Sequence, residues 1–183
     1  MQIKKTKFED LLIINKNSYK DNRGFFKEII SEKYLKKKFI FDYFSFSKKN
    51  VLRGLHIQTS QPQGKLITVF QGRIFDVALD LRKKSKTYGK IFKTILSDKK
   101  NQSIYIPAGF AHGFCVLEDK TLMHYKCTTH RNAKSEKGII WNDVELKIKW
   151  PIKKLILSSR DKKNLTFAEF KKKCIKRHAY AKK

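Results

Sequence analysis

Apolar and polar residues alternate along this chain as many short strands punctuated by turns, with few stretches long enough for an amphipathic helix. Leu11-Leu12-Ile13-Ile14 is an apolar run, Asp21-Asn22-Arg23-Gly24 has turn chemistry, and Phe25-Phe26-Lys27-Glu28-Ile29-Ile30 resumes strand character. The clearest β-signal is central. Leu66-Ile67-Thr68-Val69-Phe70 and Ile74-Phe75-Asp76-Val77-Ala78-Leu79-Asp80-Leu81 flank Gln71-Gly72-Arg73, which predicts a hairpin with glycine at its turn. Residues 90–96 and 102–106 repeat the arrangement around Asp98-Lys99-Lys100-Asn101. After a turn at Pro107-Ala108-Gly109, His112-Gly113-Phe114-Cys115-Val116-Leu117 and Leu122-Met123-His124-Tyr125-Lys126-Cys127 are two further arms. Ser31 is expected to cap a short helix through Lys37, with Glu32 in its first turn. Residues 166–176 read as a C-terminal helix.

Several short strands at close spacing predict an all-β sandwich or barrel, and a small barrel can enclose a ligand between its sheets. The 183 residues fit one domain with room for a real core, and no linker, repeat or second domain interrupts them. A basic tail covers about residues 171–183. Hydrophobic residues at 40% and aromatics at 13% fit a globular chain. The formal charge of +27, from 43 basic and 16 acidic residues, raises the question of nucleic acid. The lysines, however, are spread through loops and termini, and no zinc-finger spacing, basic zipper or RNA-recognition motif accompanies them. No nucleic-acid partner is expected, but the positive field will attract an anionic substrate. Cys115, Cys127 and Cys174 are odd in number and widely spaced, which argues against a disulfide framework and for a reducing cytosol. The first fifteen residues lack the apolar run of a signal peptide, and no stretch is long enough to span a bilayer, so a cytoplasmic protein without a membrane partner is expected.

The chemistry concentrates in Arg53-Gly54-Leu55-His56-Ile57-Gln58 and Gly64-Lys65-Leu66. On adjoining strands they offer one cavity a permanent cation, a group titrating near neutrality and an ammonium able to hold an oxyanion. A metal site is not expected, because Gln58 stands where a metal-binding barrel would place a second histidine. His56 reads better as a base, and His112 as either a functional or a structural histidine. Tyr125 facing inward would put His124 and Lys126 outward. A histidine base needs an acceptor on its other nitrogen. Asp161 can return from near the C-terminus to fill that role, or form a surface pair with Arg160, and Asp76 and Asp80 compete for it.

In chain order, Arg53-Gly54-Leu55-His56, Gly64-Lys65-Leu66, Asp76-Val77-Ala78-Leu79-Asp80-Leu81-Arg82, Tyr105-Ile106-Pro107-Ala108-Gly109-Phe110-Ala111-His112-Gly113-Phe114, Tyr125-Lys126, Trp141-Asn142-Asp143 and Trp150-Pro151 resemble the dTDP-4-dehydrorhamnose 3,5-epimerase family. The likeness runs from about Leu12 to Asp161. It implies a cupin-like jelly-roll β-barrel without a metal or other cofactor, acting on a nucleotide-diphosphate sugar. It further implies that His56, oriented by Asp161, removes a proton beside the sugar's 4-keto group, that Lys65 holds the enolate, and that Tyr125 reprotonates the opposite face. His112 corresponds to a substrate-contacting histidine, Arg53 and Arg160 to positive groups for the nucleotide and diphosphate, and Glu136 to another binding position. Arg23, Phe26 and Glu28 match a segment that contacts the nucleotide across a homodimer interface.

Two segments depart from the pattern. Phe41-Asp42-Tyr43 stands where the family usually has Gln-Asp-Asn, and His130-Arg131 where it usually has paired tyrosines that help hold the base. Both fall in substrate recognition rather than proton transfer. Three other readings compete: a non-catalytic sugar-nucleotide-binding cupin, an isomerase that moves the keto group, and a basic nucleic-acid binder. Only an enzyme requires His56, Lys65 and Tyr125 together.

Overall fold

Thirteen strands dominate the computed structural model, which describes residues 1–30 and 32–179. They are β1 (Gln2–Lys5), β2 (Leu12–Asn15), β3 (Ser18–Asp21), β4 (Gly24–Lys27), β5 (Phe41–Ser47), β6 (Leu52–Gln58), β7 (Lys65–Gln71), β8 (Arg73–Asp80), β9 (Ile91–Ser97), β10 (Gln102–Ile106), β11 (Phe110–Val116), β12 (Thr121–Cys127) and β13 (Glu136–Gly138). Among the described residues three α-helices, α1 (Glu32–Leu35), α2 (Ser159–Lys162) and α3 (Phe167–Ala179), and a 3-10 turn at Ala133–Ser135 complete the fold. One sheet runs β1-β2-β10-β7-β12-β5, the facing sheet runs β13-β6-β11-β8-β9, and β3-β4 stands apart as a two-stranded arm. This is the cupin-like jelly roll that the resemblance implied.

The strand pairing corrects one expectation. The segments on either side of Gly72 do not form a hairpin, because β7 lies in the six-stranded sheet and β8 in the five-stranded one. The same holds for β9 with β10 and for β11 with β12. Each predicted hairpin is a corner that carries the chain from one sheet to the other. Turn chemistry is alike in both cases, and only burial of both sheet faces favours the crossing. The turn between Asp21 and Gly24 does close a hairpin, with Asp21 opposite Gly24.

Three apolar layers explain the continuous runs in the sequence. Ile67, Val69, Ile74, Ala78, Phe110, Phe114 and Met123 fill the space between the sheets. Leu55, Val77, Leu79 and Ala111 point the other way, under Phe167 and Phe170 of α3. Strands β8 and β11 are therefore buried on both faces. On the far side, Ile14, Leu66 and Tyr105 are covered by Leu35 of α1 and by Ile29, Ile30 and Phe39. Burying such side chains contributes about 1.5–3 kcal/mol each. Helix α3 occupies the region expected to be helical, whereas Ser31, the expected cap of α1, lies outside the described residues. Among the described residues no helix is long and apolar enough to cross a membrane.

Candidate active site

A cleft of about 500 Å³ opens between the inner faces of the two sheets, lined by Arg53, His56, Lys65, His112, Tyr125, Glu136, Arg160 and Asp161, among others. One backbone irregularity makes this possible. Residues three apart on a regular strand point to opposite faces, yet Arg53 and His56 both line the cleft. In the β6–β11 ladder Arg53 pairs with Phe114 and His56 with His112, so β6 spends one more residue than β11 over this interval. That bulge turns His56 back to the inner face. Glycines permit it: a Cβ on Gly54 would sit 2.6 Å from the Gly113 Cα, and one on Gly113 would meet the Arg53 carbonyl at 2.9 Å. Gly54 also has φ +118, a conformation that side-chain-bearing residues rarely adopt.

His56 Nε2 lies 2.6 Å from Asp161 Oδ1. The carboxylate arrives because Ile156 pairs with Asn50 and Leu52 at the head of β6, and Ser158 then caps α2. Ser158 Oγ accepts from the Asp161 backbone N–H at 3.0 Å and donates to Asp161 Oδ2 at 2.9 Å. Asn164 Nδ2 donates to Oδ1 at 3.3 Å. Burial pushes the Asp161 carboxyl up, but the hydrogen bond and charge of His56, with Ser158 and Asn164, more than offset it, so the net shift is downward.

The competing carboxylates are occupied elsewhere. Asp80 is held by Arg82, Ser85 and Thr87, and although burial opposes them its carboxyl drops to about 2. Asp76 bonds His112, with Oδ2 at 2.7 Å from Nε2, in a fully buried pair. Arg160 does not pair with Asp161. Its guanidinium donates to Glu136 at 2.9 Å, and Arg131 donates to the same carboxylate at 3.0 and 3.1 Å. Burial raises the Glu136 carboxyl, yet the two guanidiniums bring it down to about 2.

The opposite wall is the inner face of β5, β12 and β7. Tyr125 is buried there, while His124 and Lys126 turn outward to share Asp42. Burial raises the Tyr125 phenol well above its ordinary value, which keeps its proton on at neutral pH. Lys65 sits one row away, opposite Cys127. Partial dehydration lowers the pKa of its ammonium, with Cys127, Glu136 and Asp76 acting the other way. Base and acid candidates therefore reach the cleft from different sheets.

Not every expected residue converges. Arg23 is 86% exposed and paired with Asp21 on the arm, and Phe26 and Glu28 are exposed beside it. None of the three lines the cleft of its own chain. Conversely, Ser45, Gln63, Phe114 and Ser158 line the cleft without having been expected to. Strand β5 carries aromatic residues on both faces, with Phe44 and Phe46 exposed, so its inner row of Phe41, Tyr43 and Ser45 has no polar–apolar contrast to reveal it. Among the described residues no three His, Cys, Asp or Glu side chains group as metal ligands.

The cleft thus sets a carboxylate-bound histidine on one sheet and a buried phenol on the other, with cationic side chains between them. The family model described as dTDP-4-dehydrorhamnose 3,5-epimerase matches residues 5–169, and this chain belongs to that family. The dTDP-4-dehydrorhamnose 3,5-epimerase of Methanothermobacter thermautotrophicus is 43% identical over 166 residues, covering 86% of this chain and 90% of that protein. The Bacillus anthracis enzyme of the same name, solved with TDP and PPi bound, superposes with a TM-score of 0.87 at 38% identity, over 91% of this chain and 99% of its own. The Legionella pneumophila dTDP-6-deoxy-D-glucose-3,5-epimerase, solved with dTDP-4-keto-L-rhamnose, gives 0.86 at 41% identity, over 90% and 92%.

Proposed function

We propose that this enzyme converts dTDP-4-dehydro-6-deoxyglucose to dTDP-4-dehydrorhamnose by inverting carbons 3 and 5. The observation that carries the reading is the His56–Asp161 pair on one sheet wall with Lys65 and Tyr125 on the other. The 4-keto group acidifies the protons on both neighbouring carbons. With Nε2 given to Asp161, Nδ1 of His56 is the nitrogen that takes the carbon-bound proton, and Asp161 stabilises the imidazolium. The electron pair of the broken C–H bond moves onto the carbonyl oxygen, and the Lys65 ammonium holds the resulting enolate. Tyr125 then donates its proton from the opposite face, which inverts the centre; Tyr125 regains a proton from solvent, and His56 releases the abstracted one to solvent before it acts on the second carbon.

Arg53 and Arg160 are assigned to the diphosphate, Glu136 to positioning beside it, and His112 to the sugar. The arm bearing Arg23, Phe26 and Glu28 is assigned to the nucleotide of a second copy, because Tyr19, Phe25 and Phe26 stand exposed and do not line their own cleft. On this reading the active form is a homodimer, and a monomeric mass in solution at working concentration contradicts it. Neither metal nor cofactor takes part, and lasting loss of activity on chelation, restored by one divalent ion, contradicts that. Buried free thiols at Cys115 and Cys127 suit a reducing cytoplasm, and a single domain accounts for the activity.

Incubation with dTDP-4-dehydro-6-deoxyglucose in heavy water, followed by mass analysis, tests the function. Two incorporated deuterons and the rhamnose configuration are expected. One deuteron restricts the enzyme to a single centre, and none leaves a binding protein.

A further inference from the structure

We propose that Tyr43 is a positioning residue for Tyr125, acting through its ring rather than its hydroxyl; the inference rests on the epimerase reading above. A proton donor must keep its oxygen in place on the substrate's far face, and the bonds to the Tyr125 hydroxyl are too long to do this. Ser45 Oγ lies 3.5 Å away and Met123 Sδ 3.8 Å away. The ring is held instead. Tyr43 stands directly opposite Tyr125 in the β5–β12 ladder, and their rings stack with centroids 4.4 Å apart and an interplanar angle of 11°. On another side, His112 meets Tyr125 edge-on at 6.4 Å and 71°, and His112 is itself fixed by Asp76. Two flat neighbours at nearly right angles define the plane of Tyr125.

The Tyr43 hydroxyl points elsewhere. The Tyr43 phenol lies near the thiol of Cys127, in the row that holds Phe41 and Lys65, whereas the Tyr125 hydroxyl faces the row of Ser45 and Met123. Those rows lie on either side of the tyrosine pair, so the two phenols diverge along the sheet. Phe41, 5.6 Å from Tyr43, packs against it from the side away from Ser45. This arrangement matters because β5 is the outer strand of its sheet and pairs there with β12 alone. The stack ties the wall's least supported strand to the acid it flanks.

The test separates inversion from proton exchange. Wild type, Tyr125→Phe, Tyr43→Phe and Tyr43→Leu are compared in heavy water for epimer formed per deuteron incorporated, with KM and Tm measured alongside. Misplacing the acid is expected to lower this ratio roughly ten- to hundredfold in Tyr43→Leu, with KM little changed. Tyr43→Phe, which keeps the ring, is expected to restore the ratio. If Tyr43→Leu does not fold, Tyr43→Met keeps comparable bulk without a flat face and is expected to show the same loss. A wild-type ratio in Tyr43→Leu or Tyr43→Met, even with a lowered Tm, reduces Tyr43 to packing and overturns the inference. Equal loss in Tyr43→Phe assigns the effect to the hydroxyl and overturns it too. If wild type neither exchanges nor inverts, the epimerase reading falls first, and this inference with it.

Discussion

His56 and His112 face each other across the β6–β11 ladder, and each directs Nε2 at a carboxylate, at 2.6 and 2.7 Å. Their surroundings differ. The His56 side chain is 28% exposed, and both oxygens of Asp161 are engaged by His56, Ser158 and Asn164. The His112 side chain is 5% exposed, and Asp76 Oδ1 has no hydrogen-bond partner among the described residues. A base must pass its proton to and from a ligand, so access and a fully satisfied counter-ion favour His56. A buried pair with one idle oxygen is better suited to fixing shape, and His112 forms part of the wall that Tyr125 leans on. The same bond thus suits transfer in one setting and rigidity in the other.

The largest expected effect tests that division directly. His56→Ala should lower both deuterium exchange and epimer formation by about a hundred- to ten-thousandfold. His112→Ala should retain measurable exchange while raising KM and lowering Tm, because it strands a buried carboxylate. Wild-type exchange in His56→Ala, with none in a folded His112→Ala, would reverse the two roles.

Next come the carboxylates. Asp161→Asn should lower kcat by roughly a hundredfold or more, since the amide no longer stabilises the imidazolium, with only a modest change in Tm. Asp76→Asn should show the opposite balance, a change in Tm with a smaller loss of kcat. Equal effects of the two substitutions on kcat would erase the comparison.

Gly113→Ala should perturb both pairs together, because its Cβ would press on the Arg53 carbonyl and on Leu55 within the bulge that aligns the histidines. A loss of about 1–3 kcal/mol of stability is expected from such crowding, and denaturant unfolding measures it. An unchanged midpoint would mean that the bulge relaxes freely.

The smallest effect concerns acid. Glu136 titrates near 2 in the folded protein against an ordinary value of 4.5. The unfolded chain therefore binds more protons between those values, so the stabilisation from Glu136 is complete above about 4.5 and is lost as pH falls toward 2. Glu136→Gln should make the decline of Tm over that window shallower, and an identical slope would discard the two-arginine clamp as its source. The change should leave the exchange activity of the His56 pair far less affected than Asp161→Asn does.

The pattern of the sequence reached burial more readily than partnership. Alternation and apolar runs mark β7, β8, β11 and β12, because a strand's faces are written in its own residues. Which sheet each strand joins depends on residues far away, so the corner at Gly72 reads as a hairpin. In the site, Arg53, His56, Lys65, Tyr125 and Asp161 were legible as chemical types in recognisable motifs. That Arg53 and His56 share a face was not, because strand parity forbids it and only the bulge opposite Gly113 restores it. The Arg131–Glu136–Arg160 cluster was likewise hidden, since it joins β13 to α2 across a loop of no periodicity.

Asp161 stands 105 residues beyond His56. Ribosomes add roughly 5–20 residues per second, so a nascent His56 waits on the order of 5–20 s for its carboxylate to be made. Strands β7 to β13 are all made within that interval, after β5 and most of β6. Until Asp161 is made, the His56 imidazole lacks the carboxylate that supports its positive charge in the folded protein. On the proposed mechanism, proton transfer therefore waits on translation of the C-terminal segment and its docking on Asn50 and Leu52.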